Sequence, residues 1–299
     1  MGSSDVWLSD LPGDSVDGAD FESRASAAAD LDRRLLLVGK PMAEAWRSQT
    51  VIGLADLFAD LCESLGVRTL IECGAHDAEA SRAFLRRNTQ GHAIALEANP
   101  RTYRDITSLA AEEGVTVLCE GIADVPGSRE LLVPLNSLSM VSFRQQVKAR
   151  GRVIERITVS VTTLDTLRAR FALEGSVALW IDVEGMSPEV LRGGKQLLNQ
   201  TELVMVEVEK AEIWHGPTTA SEVDRILALA GFVAVARDFQ TGERLYNVIY
   251  ARNGQLSEHP SAVEYWQRVC SPPRCLYVRR LSASLRRLRG AIRKFFSRG

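Results

Sequence analysis

Paired cysteines, clustered histidines, glycine-rich nucleotide fingerprints and long apolar runs are all missing from this 299-residue chain. Five cysteines are present, Cys62, Cys73, Cys119, Cys270 and Cys275, and none forms a CxxC pair. That spacing excludes a zinc ribbon and a disulfide-stapled small fold. Cys73 and Cys119 lie in apolar, strand-like runs, where a thiol serves as a small hydrophobe. No run approaches the ~18–20 apolar residues of a membrane-spanning helix. The first residues lack the basic, apolar, small-residue order of a secretory signal. Met1-Gly2 followed by Val6 lacks the Ser or Thr of a myristoylation site. A cytoplasmic location is the expectation. Net charge is −2, which excludes polyanion binding by bulk electrostatics. No nucleic-acid partner is expected, because the body offers no basic platform interleaved with aromatics. No repeat or low-complexity stretch occurs.

What is present is ordinary in bulk and uneven in detail. Apolar residues make up 45% of the chain, enough for a large core. Acids crowd residues 1–32, where Arg24 is the lone base, whereas residues 277–299 carry arginines and one lysine without an acid. The sequence therefore divides into an acidic, flexible arm at 1–39, a globular body at 40–255 and an extension at 256–299. In the last segment Leu281, Leu285, Leu288, Ile292 and Phe295 recur at helical spacing among basic residues. Such a helix reads as a terminal helix docked on the body, as a partner-binding helix, or as a peripheral contact with the anionic inner face of a membrane.

Within the body, strand and helix patterns alternate. Strands are predicted at 67–73, 92–97, 115–119, 130–133, 157–161, 177–183, 203–207, 232–236 and 245–250. Helices are predicted at 78–87, 101–113, 163–171, 188–199 and 221–230. Strands separated by helices pair in parallel through right-handed crossovers. Their continuous apolar character fits a sheet buried on both faces. The loop around Gly242 is too short for a crossover, so the last strand must run antiparallel. The expected fold is α/β, a doubly wound, mostly parallel sheet whose ligands bind beyond the carboxyl ends of the strands.

The first strand ends in Glu72-Cys73-Gly74-Ala75-His76-Asp77. A glycine there lets a ligand approach the backbone, but the GxGxxG pattern of dinucleotide folds fails, because His76 and Glu79 occupy the later glycine positions. Glu72, Asp77 and Glu79 would also repel a diphosphate, which disfavours an NAD-dependent oxidoreductase. Glu97 closes the second strand, roughly 20 residues on, at the offset where an acid holds ribose hydroxyls. Asp182 and Glu184 close a later strand. Carboxylates from three strands suit a cationic ligand with a ribose, and S-adenosyl-L-methionine carries both a sulfonium and an ammonium. Each acid taken singly is as ordinary as a helix cap or a partner for Arg.

These segments resemble a known family. Glu72 to Asp77, Leu96-Glu97-Ala98-Asn99-Pro100, Trp180-Ile181-Asp182-Val183-Glu184-Gly185-Met186 and Val190-Leu191-Arg192-Gly193-Gly194 look like the FkbM-type S-adenosylmethionine-dependent methyltransferases, over about residues 65–250. The resemblance implies a seven-stranded class I methyltransferase (Rossmann-like) fold and O-methylation of a sugar, glycolipid or polyketide-type acceptor. It implies that Glu72, Gly74, Ala75 and Asp77 frame the methionine half of the cofactor, and that Glu97, flanked by Ala98 and Asn99, holds the ribose. Gly121, Ile122 and Ala123 would lie along the adenine, and Asp182 would face the methionine ammonium or the acceptor. Three residues depart from the family. Ala78 replaces a second glycine, which is harmless if its φ is negative. Trp180 replaces a common Lys, and Ser187 a common acid.

A base must take the acceptor's hydroxyl proton, and Asp182, Glu184 and His215 are the candidates. A lone His is more often a surface or core residue. Trp214 either stacks on a sugar or fills the core. The hydroxyl-rich loop 135–143 is either a substrate lid or a crossover. No metal site is assigned. Asp182 and Glu184 could ligate a divalent cation, but two carboxylates alone are commonplace. The alternative to an enzyme is a non-catalytic, methyltransferase-like binding module docked to a membrane or a partner.

Overall fold

The computed structural model describes residues 20–135, 141–147 and 153–273. Two helices, α1 (Phe21–Val38) and α2 (Lys40–Ser64), precede the first strand. Then follow β1 (Thr69–Cys73), α3 (Glu79–Arg87), β2 (His92–Leu96), α4 (Pro100–Glu112), β3 (Thr116–Leu118), β4 (Gly121–Ile122), β5 (Gly127–Pro134) and β6 (Ile154–Thr162). The second half holds α5 (Leu164–Arg170), β7 (Val177–Ile181), α6 (Ser187–Arg192), β8 (Thr201–Glu209), α7 (Ala220–Leu229), β9 (Val233–Arg237), β10 (Leu245–Ala251) and α8 (Pro260–Val269).

Seven strands form one sheet in the order β3-β2-β1-β7-β8-β10-β9. All neighbours are parallel except β10, which runs antiparallel to both β8 and β9. The expected doubly wound sheet with an antiparallel last strand is therefore present. Alternation along each strand separates two cores. Leu70, Ala93, Ala178 and Met205 pack on the side of α1, α2 and α8, whereas Ile71, Ile94, Leu179 and Val206 pack on the side of α6 and α7. Burial on both faces accounts for the unbroken apolar runs. The strands expected at 130–133 and 157–161 lie instead in a separate sheet, β4-β6-β5. A bridge from Leu132 to Ser142, and the Ser142 Oγ bond to the Glu184 carbonyl at 2.7 Å, tie this small sheet to the carboxyl ends of the large one.

Two expected boundaries move. Residues 21–38 are not a flexible arm but helix α1. Asp20 caps it by accepting from the Ser23 amide at 2.8 Å. Ala25, Ala28, Leu31 and Leu35 are buried. The acid count hid this apolar face, and two of the charges are structural. Asp32 takes a two-pronged bond from Arg47 at 2.8 and 2.7 Å, and buried Arg24 donates to the Ser257 carbonyl. The body also continues past residue 255. In α8, Trp266 donates to the Val235 carbonyl at 3.0 Å and Tyr265 to that of Arg237 at 2.7 Å, both side chains buried against the sheet. The basic segment 277–299 and residues 136–140 of the predicted loop lie outside the described residues.

Candidate active site

The parallel register brings the C-terminal ends of β1, β2 and β7 level, with Cys73 opposite both Leu96 and Ile181. The chain leaves the sheet there through strained turns. Gly74 has φ +84°, and a Cβ on it would stand 1.8 Å from the Asp182 carbonyl oxygen, so only glycine lets the β1 and β7 turns touch. Of the four non-glycine residues with positive φ among those described, His76, Ala78 and Glu184 lie in these turns. Ala78 has φ +57°, so the expectation of a negative angle fails. It holds the left-handed conformation a glycine would take, at a cost of about 1–2 kcal/mol. Such concentration of strain is a mark of functional sites.

One cavity of about 1290 Å³ opens at this edge. Glu72, Gly74, Ala75, Asp77, Glu97, Ala98, Gly121, Ile122, Asp182 and Glu184 all line it. Several of these also hold the turns. Glu72 is buried and accepts from the Ser81 amide at 2.8 Å. Burial raises its pKa to about 7, against the bonds from Ser81. Asp77 accepts from the Glu79 amide at 3.1 Å. Glu97 joins two loops, since one oxygen accepts from the His76 amide at 3.0 Å and the other from the Asn99 amide at 2.7 Å. Burial pushes the pKa of Glu97 up, and those two bonds oppose the rise.

Three expected site residues fall outside the cavity lining. Asn99 is buried, and its side chain caps α4 by accepting from the Arg101 amide. Ala123 is buried, and its carbonyl oxygen would lie 2.3 Å from a Cβ at Gly193. The glycines of the Arg192-Gly193-Gly194 run thus serve packing. His215 is exposed. Its amide donates to the Gln145 carbonyl in a short ladder beside the Gln146–Trp214 bridge, which holds the residue on the rim. Trp214 is core, packed where a Cβ on Gly185 would come within 2.6 Å of its ring.

The residue that the sequence reading missed is Glu207, near the end of β8. Asp182, Glu184 and Glu207 each offer an oxygen within 4.8 Å of the others. None of the three forms an ion pair with Lys or Arg among the described residues. Burial first, then mutual repulsion, raises the pKa of Glu184 and of Glu207. Burial, and behind it the charge of Asp238, also raises that of Asp182, against the pull of His76 and a side-chain hydrogen bond with Glu207. The signal for Glu207 was the pair of acids, Glu207 and Glu209, closing an otherwise apolar strand. Helix α2 was missed as well, and its Val51, Ile52, Ala55 and Phe58 wall the cavity. Trp180 meets Phe58 edge-on with ring centroids 5.5 Å apart, and Ser187 donates to the Glu207 carbonyl at 2.9 Å.

A seven-stranded sheet of this order, with a cavity at its carboxyl edge, is the class I methyltransferase architecture. Within that class the chain belongs to the methyltransferase FkbM domain family, whose profile matches residues 72–234. No curated protein matches the sequence. Solved structures similar to it include a precorrin-6y C5,15-methyltransferase from Geobacter metallireducens, with 12% identity, 69% of this chain and 86% of that chain covered, and a TM-score of 0.35. Another is a SAM-dependent methyltransferase from Aquifex aeolicus, with 13% identity, 65% and 88% covered, and a TM-score of 0.35. Among the described residues, no helix is long and apolar enough to cross a membrane.

Proposed function

We propose that this methyltransferase is an O-methyltransferase whose acceptor is a hydroxyl of a sugar, glycolipid or polyketide-type molecule. The observation that carries the reading is the shared cavity, which gathers Glu97 on one side and Asp182, Glu184 and Glu207 on the other. A cavity of about 1290 Å³ has room for a cofactor and an acceptor side by side. The donor set fits a cation carrying a ribose. When bound, S-adenosyl-L-methionine supplies a methyl group on a positively charged sulfur. Glu97 accepts from the ribose hydroxyls with lone pairs that its two backbone bonds leave over. Gly74 and Ala75 form the floor, their amides already committed to the Leu96 carbonyl at 3.0 and 2.9 Å. Gly121 and Ile122 flank the adenine. Asp182 faces the ammonium group or the acceptor.

The protein's largest contribution is alignment, because in-line displacement needs the acceptor oxygen about 3–3.5 Å from the methyl carbon. As that oxygen–carbon bond forms and the sulfur–carbon bond breaks, the hydroxyl proton passes to Glu184, whose pKa burial has moved toward neutrality. The family departures at Trp180 and Ser187 support an intact site, since one packs on α2 and the other braces β8.

The test is transfer of labelled methyl from S-adenosyl-L-methionine into host glycan and lipid extracts. A product whose labelled methyl survives mild base and is placed on an oxygen by fragment mass spectrometry is an ether and supports the reading. A base-labile ester or an N-methyl product overturns it.

A further inference from the structure

We propose that Asp182, Glu184 and Glu207 bind one hard divalent cation, of the magnesium or manganese kind, in the wall of the acceptor site. Two independent observations carry this. The first is geometric. One carboxylate oxygen from each residue lies within 4.8 Å of the other two, the spread that oxygens about 2.0–2.5 Å from a shared ion would span. The second is an orphaned atom. Glu207 is 4% exposed, lines the cavity, and its Oε2 has no hydrogen-bond partner. A buried carboxylate oxygen without a donor is costly, and no Lys or Arg of the described residues pairs with any of the three. Glu209 and Asp238 stand close enough to add repulsion to Glu207, and His76 is the basic side chain near Asp182. A cation completes this arrangement, and the donor set selects its type. Three oxygens without sulfur or imidazole suit magnesium, manganese or calcium rather than zinc or copper.

The local chain is built to keep the three acids together. Glu184 holds φ +48°, and its carbonyl accepts from Ser142. Ser187 fastens the following turn to the backbone of Glu207 itself. The β7–β8 pairing aligns Ile181 with Val206, which puts Asp182 and Glu207 side by side past the last pair. This inference rests on the methyltransferase reading only for its consequence. With an ion bound, Glu184 is a ligand first. The acceptor hydroxyl, drawn onto the ion, has a lowered pKa and passes its proton to the Glu184 oxygen that the ion leaves free.

The experiment is a titration of the metal-stripped full chain with manganese, following free ion by electron paramagnetic resonance, with and without S-adenosylhomocysteine. One ion per chain is expected. Affinity should fall about ten- to hundredfold in Glu207→Gln and in Glu184→Gln, and stay unchanged in the surface control Glu264→Gln. Cooperative melting of each variant confirms folding, and the second ligand variant serves if the first does not fold. No binding by the folded wild type at about 1 mM manganese, in either condition, overturns the proposal and leaves the cluster holding only protons. Binding that Glu207→Gln and Glu184→Gln leave intact overturns it equally. Calorimetry with S-adenosylhomocysteine in a chelator tests the cofactor reading by itself. Metal without cofactor binding sinks that reading alone, and cofactor without metal binding sinks this one alone.

Discussion

Single residues at the carboxyl edge carry most of the strain. Gly74→Ala places a methyl against the Asp182 carbonyl, where nothing flexible can yield. We expect a loss above about 3 kcal/mol in chemical denaturation, with cofactor binding lost as well. Ala78→Gly relieves a left-handed alanine but gives up a buried methyl and adds unfolded-state entropy. These effects offset, so stability should stay within about 1 kcal/mol of the parent. Ala78→Val, by contrast, should cost more than about 2 kcal/mol. Glu72 makes a pH-dependent contribution. Its folded pKa is about 7, above the unfolded value near 4.5, so the neutral form suits the fold. Its contribution is favourable below about pH 4.5 and is lost as pH rises through 7. Glu72→Gln should therefore gain in melting temperature over the parent between pH 5 and 8, with a plateau on the order of 3 kcal/mol. A constant offset across that range would contradict this.

The elements were legible where period and burial agree. Strands β1, β2, β7 and β8 read correctly because each is buried on both faces, and β10 read as antiparallel because its loop is short. Helices α1 and α2 did not. In the first, charge counts concealed Ala25, Ala28, Leu31 and Leu35, and the second is apolar on more than one side because it touches α1, α3, α8 and the cavity at once. Helix α8 was cut off by a boundary drawn at composition rather than packing. Trp266 decides its membership in the body. Trp266→Ala should cost about 3–5 kcal/mol in equilibrium unfolding, and a value near zero would mean that 256–270 is an appendage. At the site, Glu97, Asp182 and Glu184 were visible because strand-end acids stand out in sequence. Glu207 is a strand-end acid too, but its place beside Asp182 depends on the lateral register of β7 against β8, which no local pattern prints. His215 was a candidate by type and stands exposed, outside the cavity lining.

At the scale of the molecule, a mixed sheet gathers half-buried Asp182 and Glu184 and buried Glu207 at one edge, with no Lys or Arg of the described residues in an ion pair with them. The crowding is wasteful for stability alone, and the binding roles proposed above give it a purpose. In the function proposed above, this edge binds the methionine-based cofactor, with Glu97 at the ribose. Calorimetric titration with S-adenosylhomocysteine tests it most directly. One ligand per chain is expected, with at least a tenfold loss of affinity in Glu97→Ala, the size expected from losing charge-assisted hydrogen bonds. A cooperatively folded protein that takes up no ligand at millimolar concentration would contradict it.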